Sequence, residues 1–152
     1  MKIAINRCYG GFSLSPKAVK MHSELEGKKC FFFKYNHETK MHIPISENDI
    51  DDNYMSWCAF TIENPDKYLG KSVFGIDGTF KEYNAKYREI SLSNRDIPRD
   101  DLNLIKVIET LKEEANGHCA ELAIIEIPDN VDWEVAEYDG METVEEKHRR
   151  WY

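Results

Sequence analysis

The spacing of apolar and polar positions changes several times along the chain, and each change predicts an element. Residues 1–9 alternate: Ile3, Ile5, Arg7 and Tyr9 fall on one face and Lys2, Ala4, Asn6 and Cys8 on the other, which predicts a strand. Gly10-Gly11 ends it. Ser15-Pro16 supplies a helix cap and a proline at the first helical position, so a short helix follows with Ala18, Val19, Met21 and Leu25 inward and Gly27 as its stop. Residues 28–92 read as β-rich. The runs 30–35 (CFFFKY) and 54–62 (YMSWCAFTI) predict strands, with the acidic stretch 46–53 as a surface loop between them. Residues 73–76 and 79–92 predict further strand on either side of an Asp77-Gly78 hairpin turn.

The last third has clearer periods. Leu104, Ile105, Ile108 and Leu111 form the apolar stripe of a helix over 101–115, capped by Asp100 or Asp101 and closed at Asn116-Gly117. Residues 119–127 form a nearly continuous apolar strand. Pro128-Asp129-Asn130 turns the chain into a second strand over 131–136, where Val131, Trp133 and Val135 alternate with polar positions, and the two are expected to pair antiparallel. Asp139-Gly140 breaks that strand. Met141, Val144, His148 and Trp151, spaced by three, four and three, predict a final helix with Glu145, Glu146, Lys147, Arg149 and Arg150 outward. No repeat or linker interrupts the pattern. The expectation is an α+β fold over residues 1–152, an antiparallel β-sheet packed with two to three helices in a single domain.

Composition narrows the function classes. The 152 residues, 41% hydrophobic and 32% charged, are enough to bury a core and are globular in balance. A net charge of -8 argues against general DNA binding and against anionic membranes, but not against a small anion held by a local arginine cluster. Cys8, Cys30, Cys58 and Cys119 form no C-x-x-C pair, and no histidine is spaced to complete a zinc site. The apolar run at the N-terminus is too short for a signal peptide, and nothing approaches the ~20 apolar residues of a membrane span. An intracellular protein with reduced thiols is expected.

No phosphate-loop, dinucleotide-binding, nucleophile-elbow or zinc-protease motif is present, so no catalytic residue, metal or cofactor is assigned. Cys8 lies beside Arg7, but nothing pairs it with a histidine, and a small buried residue is the simpler reading. With 28 carboxylates, some pair always looks catalytic; Glu137, Glu142, Glu145 and Glu146 read as a solvated face. The arginines are more informative. Arg7, Arg95, Arg99, Arg149 and Arg150 sit at element ends, and a guanidinium fork matches a phosphate. Arg99 stands just before a helix N-terminus, a position that favours an anion and that Asp100 and Asp101 partly cancel. Residues 147–151 combine basic side chains with Trp151, as nucleotide binding prefers; a basic helix end with a core tryptophan is the competing reading. Trp133 reads as core, and Phe12 as either core or a stacking surface.

Two sets of segments carry a resemblance. The first is INRCYGGFSLS at 5–15. The second is IPRDD at 97–101, ANG at 115–117, EIPD at 126–129, Trp133, EYDG at 137–140, and EKHR at 146–149 with Trp151. Together they resemble the Thoeris anti-defence 1 family of small phage and prophage proteins, over about the first 15 and the last 60 residues. The resemblance implies a protein that binds glycocyclic ADP-ribose, the signal of a bacterial defence, and sequesters it uncleaved in the host cytoplasm. It also implies homo-oligomers, dimers assembling into a hexamer, with pockets between subunits and, in some members, further sites for cyclic di- or trinucleotides. The ligand-binding residues it points to are Asn6, Arg7, Tyr9, Phe12, Arg95, Arg99, Glu146, His148, Arg149 and Trp151. Residues 20–92 match no family pattern. Two other functions fit the composition: a small nucleotide hydrolase, and an acidic inhibitor that binds a host protein.

Overall fold

A computed structural model of the chain describes residues 1–50, 57–70 and 79–148. Antiparallel strands combine with helices, as the α+β expectation requires. The chain folds as two compact units, Met1–His22 with Asn94–Tyr152, and Ser23–Ser93.

In the first unit β1 (Lys2–Asn6) is the deepest strand, buried from Ile3 through Asn6. Helix α1 (Pro16–Leu25) starts where expected. The Ser15 hydroxyl accepts the Ala18 N–H at 3.2 Å, Pro16 opens the helix, and Gly27 lies in the left-handed region just past its end. In the second unit β2 (Phe31–Asn36) is the middle strand of a sheet ordered β3-β2-β4, with β3 (Met41–Pro44) and β4 (Trp57–Phe60) both antiparallel to it. Two helices follow, α2 (Pro65–Leu69) and α3 (Thr79–Ile90). Phe33, Phe60, Leu69 and Ile90 form this unit's core, with Phe31, Cys58, Ile62, Tyr83 and Tyr87 packed against it.

His42 ties β3 to α2. Its ring Nδ1 lies 2.6 Å from Asp66 Oδ1, and its backbone N–H donates to Asp66 Oδ2 at 2.8 Å. The imidazole is enclosed by the rings of Phe33, Tyr35 and Phe60.

The strand expected over 79–92 is helical instead. Tyr83, Tyr87 and Ile90, spaced by four and three, put one face on the core, while Glu82 and Lys86 pair across one turn at 3.6 Å. The aromatic content resembled a strand's; the spacing is a helix's. Strand β3 and helix α2 were not foreseen. Residues 51–56 and 71–78, with part of the expected 54–62 strand and the Asp77-Gly78 turn, lie outside the described residues.

Back in the first unit, α4 (Leu102–Leu111) has Asp101 as its cap, the carboxylate accepting the Leu104 N–H at 2.7 Å. Leu104, Ile105, Val107 and Ile108 are buried, and the helix packs on β1 and β5 (Leu122–Glu126). The α-helix stops at Leu111, and a 3-10 turn, Lys112–Ala115, carries on to Asn116.

Two expectations at the C-terminus are overturned. Strand β5 pairs with β1, Lys2 opposite Glu126 and Asn6 opposite Leu122, and not with the strand that follows it. The N-terminal ammonium reinforces this pairing by donating to the Ile127 carbonyl at 2.6 Å and to the Asp129 carboxylate. The expected final helix is strand β7 (Met141–Glu146), which pairs with β6 (Trp133–Tyr138). Asp139 and Gly140, at φ 51° and 86°, form the two-residue hairpin turn that favours such a pair. Val144 lies opposite Val135, and the helical spacing from Met141 to His148 was fortuitous.

Candidate functional site

Strand β1 has β5 on one edge, and its other edge is closed without a strand. The Ala4 N–H donates to the Arg99 carbonyl at 2.8 Å, and the Asn6 N–H donates to Glu142 Oε2 at 2.9 Å. Those bonds bring three segments together: the end of β1, the turn before α4, and the start of β7.

Glu142, expected on a solvated face, is 7% exposed. Its other oxygen, Oε1, accepts from Arg99 Nη2 at 2.7 Å, so both ends of the carboxylate are engaged. Glu142 stands at the start of β7, where the Asn6 amide and Arg99 meet it, whereas Glu145 and Glu146, further along the strand, are exposed.

Arg99 sits over the Phe12 ring, its guanidinium carbon 3.3 Å from the ring centroid, a cation–π contact. Nη1 is sealed from solvent and donates to no group among the described residues. Burial pulls the guanidinium below its ordinary pKa, and the Glu142 charge pulls it part of the way back, so it stays charged. A buried charged donor without an acceptor costs on the order of 1–3 kcal/mol or more. The site therefore holds one N–H edge ready for an oxygen, beside an aromatic face.

Asn6 organises the surrounding loops. Its amide nitrogen donates to the Cys8 carbonyl at 2.5 Å and the Gly140 carbonyl at 2.7 Å, and its oxygen accepts from the Glu121 N–H at 2.8 Å and the Cys8 N–H at 3.4 Å. The side chain is fully buried and its amide bonds are made to backbone groups, so Asn6 fixes the shape of the surrounding loops. Glycine is required beside it. A Cβ at Gly10 would lie 1.8 Å from the Cys119 carbonyl oxygen, and one at Gly140 2.5 Å from the Tyr9 carbonyl oxygen. Gly11, at φ 82°, has open space around it and lets the turn deliver Phe12 onto Arg99.

Of the ten residues singled out from the sequence, Asn6, Phe12 and Arg99 meet here. Arg7 and Tyr9 are exposed at the end of β1, Tyr9 at 65%. Glu146 and His148 are exposed at and beyond the end of β7. Arg95 belongs to a 3-10 turn, Asn94–Asp96, but its side chain, like all of Arg149 and Trp151, lies outside the described residues. Glu142 and Gly140 were not singled out as site residues: Gly140 stood only within the EYDG segment, and Asp139-Gly140 was read as a strand break where the structure has a hairpin turn.

Cys8 is half-buried, and Cys119 is exposed and left-handed at φ 57°. In the second unit, burial first and the Asp66 charge second push the Cys58 thiol up to about 12, which makes it a poor nucleophile. Among the described residues no cluster of three or more His, Cys, Asp or Glu is arranged to hold a metal, and no helix is long and apolar enough to cross a membrane.

The class these features define is an α+β protein with a half-buried arginine that sits over an aromatic ring and bonds to a buried carboxylate. No known family model, curated protein or solved structure matches the chain.

Proposed function

We propose that this chain is a phage anti-defence protein that binds glycocyclic ADP-ribose and sequesters it intact, blocking Thoeris signalling. The observation that carries the reading is Arg99: a guanidinium held on Phe12, with one buried N–H edge unclaimed. A phosphate oxygen is the natural acceptor for that edge, and the ring face suits a base or ribose. Both residues fall within the segments that resemble the family, INRCYGGFSLS and IPRDD.

Sequestration works one-for-one and needs tight binding. A nanomolar dissociation constant corresponds to about -12 kcal/mol, within reach of a few charge-assisted bonds plus stacking in an enclosed pocket. We propose that a second copy of the chain supplies the enclosure, in a homo-oligomer built from dimers, and that cyclic di- and trinucleotides bind at further sites.

The test is titration calorimetry with glycocyclic ADP-ribose, followed by heat denaturation of the complex and mass spectrometry of what is released. The expected result is saturable binding, recovery of the intact ligand, and at least tenfold weaker binding by Arg99→Met. Release of a cleaved product would make the chain an enzyme, and absence of binding would remove the sequestration reading. Native mass spectrometry of the complex reports subunit count and ligand stoichiometry together.

A further inference from the structure

We infer that Glu142 sets which anions the Arg99 subsite accepts: it admits an oxygen carrying at most one negative charge and turns away a doubly charged terminal phosphate. The inference rests on the proposed reading of Arg99 as the ligand's anchor and goes beyond it to the charge class of the ligand.

Glu142 cannot step aside to make room for an anion. Its two oxygens are held by different segments, Oε2 by the Asn6 N–H and Oε1 by Arg99 Nη2. If the carboxylate swung away, a backbone N–H of a fully buried residue would lose its acceptor. Glu142 therefore stays in place when the free Nη1 edge is filled. It acts through Arg99, fixing the guanidinium against the Phe12 face so that Nη1, and not Nη2, is the edge on offer.

The charges then limit what fits. Arg99 brings one positive charge and Glu142 one negative, so the pair is neutral before a ligand arrives. The residue opposite Glu142 across the hairpin is Glu137, a further negative group, whose Oε1 accepts the Gly140 N–H at 2.9 Å. Among the described residues Arg99 is the one cation bonded to Glu142. A diester or pyrophosphate oxygen adds one charge, spread over its phosphate. A terminal phosphate adds a second, which no further cation bonded to Glu142 among the described residues offsets, and an unmatched charge held away from water is strongly disfavoured.

Two probes differ by that one charge: adenosine 5′-monophosphate, and its methyl ester on the phosphate. Both are titrated into the full chain at pH 8. The wild type is expected to bind the methyl ester about tenfold more tightly, equivalent to ~1.4 kcal/mol. In Glu142→Gln, shown to be folded by circular dichroism, the preference is expected to shrink or reverse. A merely structural lesion would weaken both probes alike and leave their ratio unchanged. Equal or tighter binding of the monophosphate by wild type, an unchanged ratio in the folded variant, or no binding of either probe each overturns the inference. If the variant does not fold, the wild-type ratio alone decides. Glycocyclic ADP-ribose titrated in parallel separates the two failures. If it binds while the probes disobey, only the charge rule falls; if it fails to bind, the proposed function falls.

Discussion

Glu142→Ala is the most informative single perturbation of this fold. The substitution removes a 7%-exposed carboxylate that accepts from the Asn6 N–H at 2.9 Å and from Arg99 Nη2 at 2.7 Å. Two consequences add. The Asn6 amide is left without an acceptor inside the unit, a loss of about 1–3 kcal/mol. Arg99 loses its only carboxylate among the described residues and keeps a charge that is already short of partners. Breaking a buried ion pair from one side typically costs ~3–5 kcal/mol. Because the Arg99 side chain is 23% exposed, water lowers the ion-pair loss to about 2 kcal/mol, which with about 1 kcal/mol for the amide gives an expected loss of about 3 kcal/mol. The assay is urea unfolding followed by circular dichroism. With a slope of roughly 2 kcal/mol per molar urea, the midpoint should fall by about 1.5 M. Glu145→Ala, three residues on at an exposed position of the same strand, is the control and should stay within about 0.5 kcal/mol of wild type. The double variant Glu142→Ala/Arg99→Met should be less destabilised than the two single losses summed, since removing both partners leaves no orphaned charge. If Glu142→Ala matches the Glu145→Ala control, the buried bridge contributes nothing and the account of this site is wrong.

Three further outcomes are expected. At Asp101, burial pushes the carboxyl up, but the Leu104 N–H and His22 outweigh it and hold the group below its ordinary 3.8. Its contribution to stability is therefore complete above that value and is lost as pH falls below it through the depressed native value, so thermal melts should show a steeper acid loss for wild type than for Asp101→Asn. Gly10→Ala drives a methyl into the Cys119 backbone and should lower stability by about 1–3 kcal/mol in the same urea assay; a wild-type midpoint would mean the turn is looser than described. In iodoacetamide labelling at pH 8, read by peptide mass spectrometry, exposed Cys119 should react well ahead of Cys58, whose thiol is pushed up to about 12; comparable rates would contradict the burial of Cys58.

Local signals in the sequence were reliable where one short segment decided the outcome. Ser15-Pro16 starts a helix and Asp101 caps another because the cap, the proline and the first amides are neighbours in the chain. Legibility ended where a choice depended on distant partners. Strand 122–126 was expected to pair with the strand that follows it, and the mate it took, residues 2–6, begins 120 residues earlier. Glu142 reads as one more acidic residue in a run of them; its burial is settled by an amide 136 positions away. The segment 79–90 failed differently. Its tyrosines and phenylalanine suit either period, and the four-three spacing of Tyr83, Tyr87 and Ile90 was outweighed by its apparent place in a β-rich stretch.

The outer strand of the second unit has one more consequence. Along Met41–Pro44, the N–H that points away from the sheet at His42 is taken by Asp66, and Pro44 has no N–H to give. A newcomer strand approaching that flank finds no donors with which to zip on. Concentrated solutions of the chain are thereby guarded against stacking rim to rim on this side, with one carboxylate and one imino acid as the stopper.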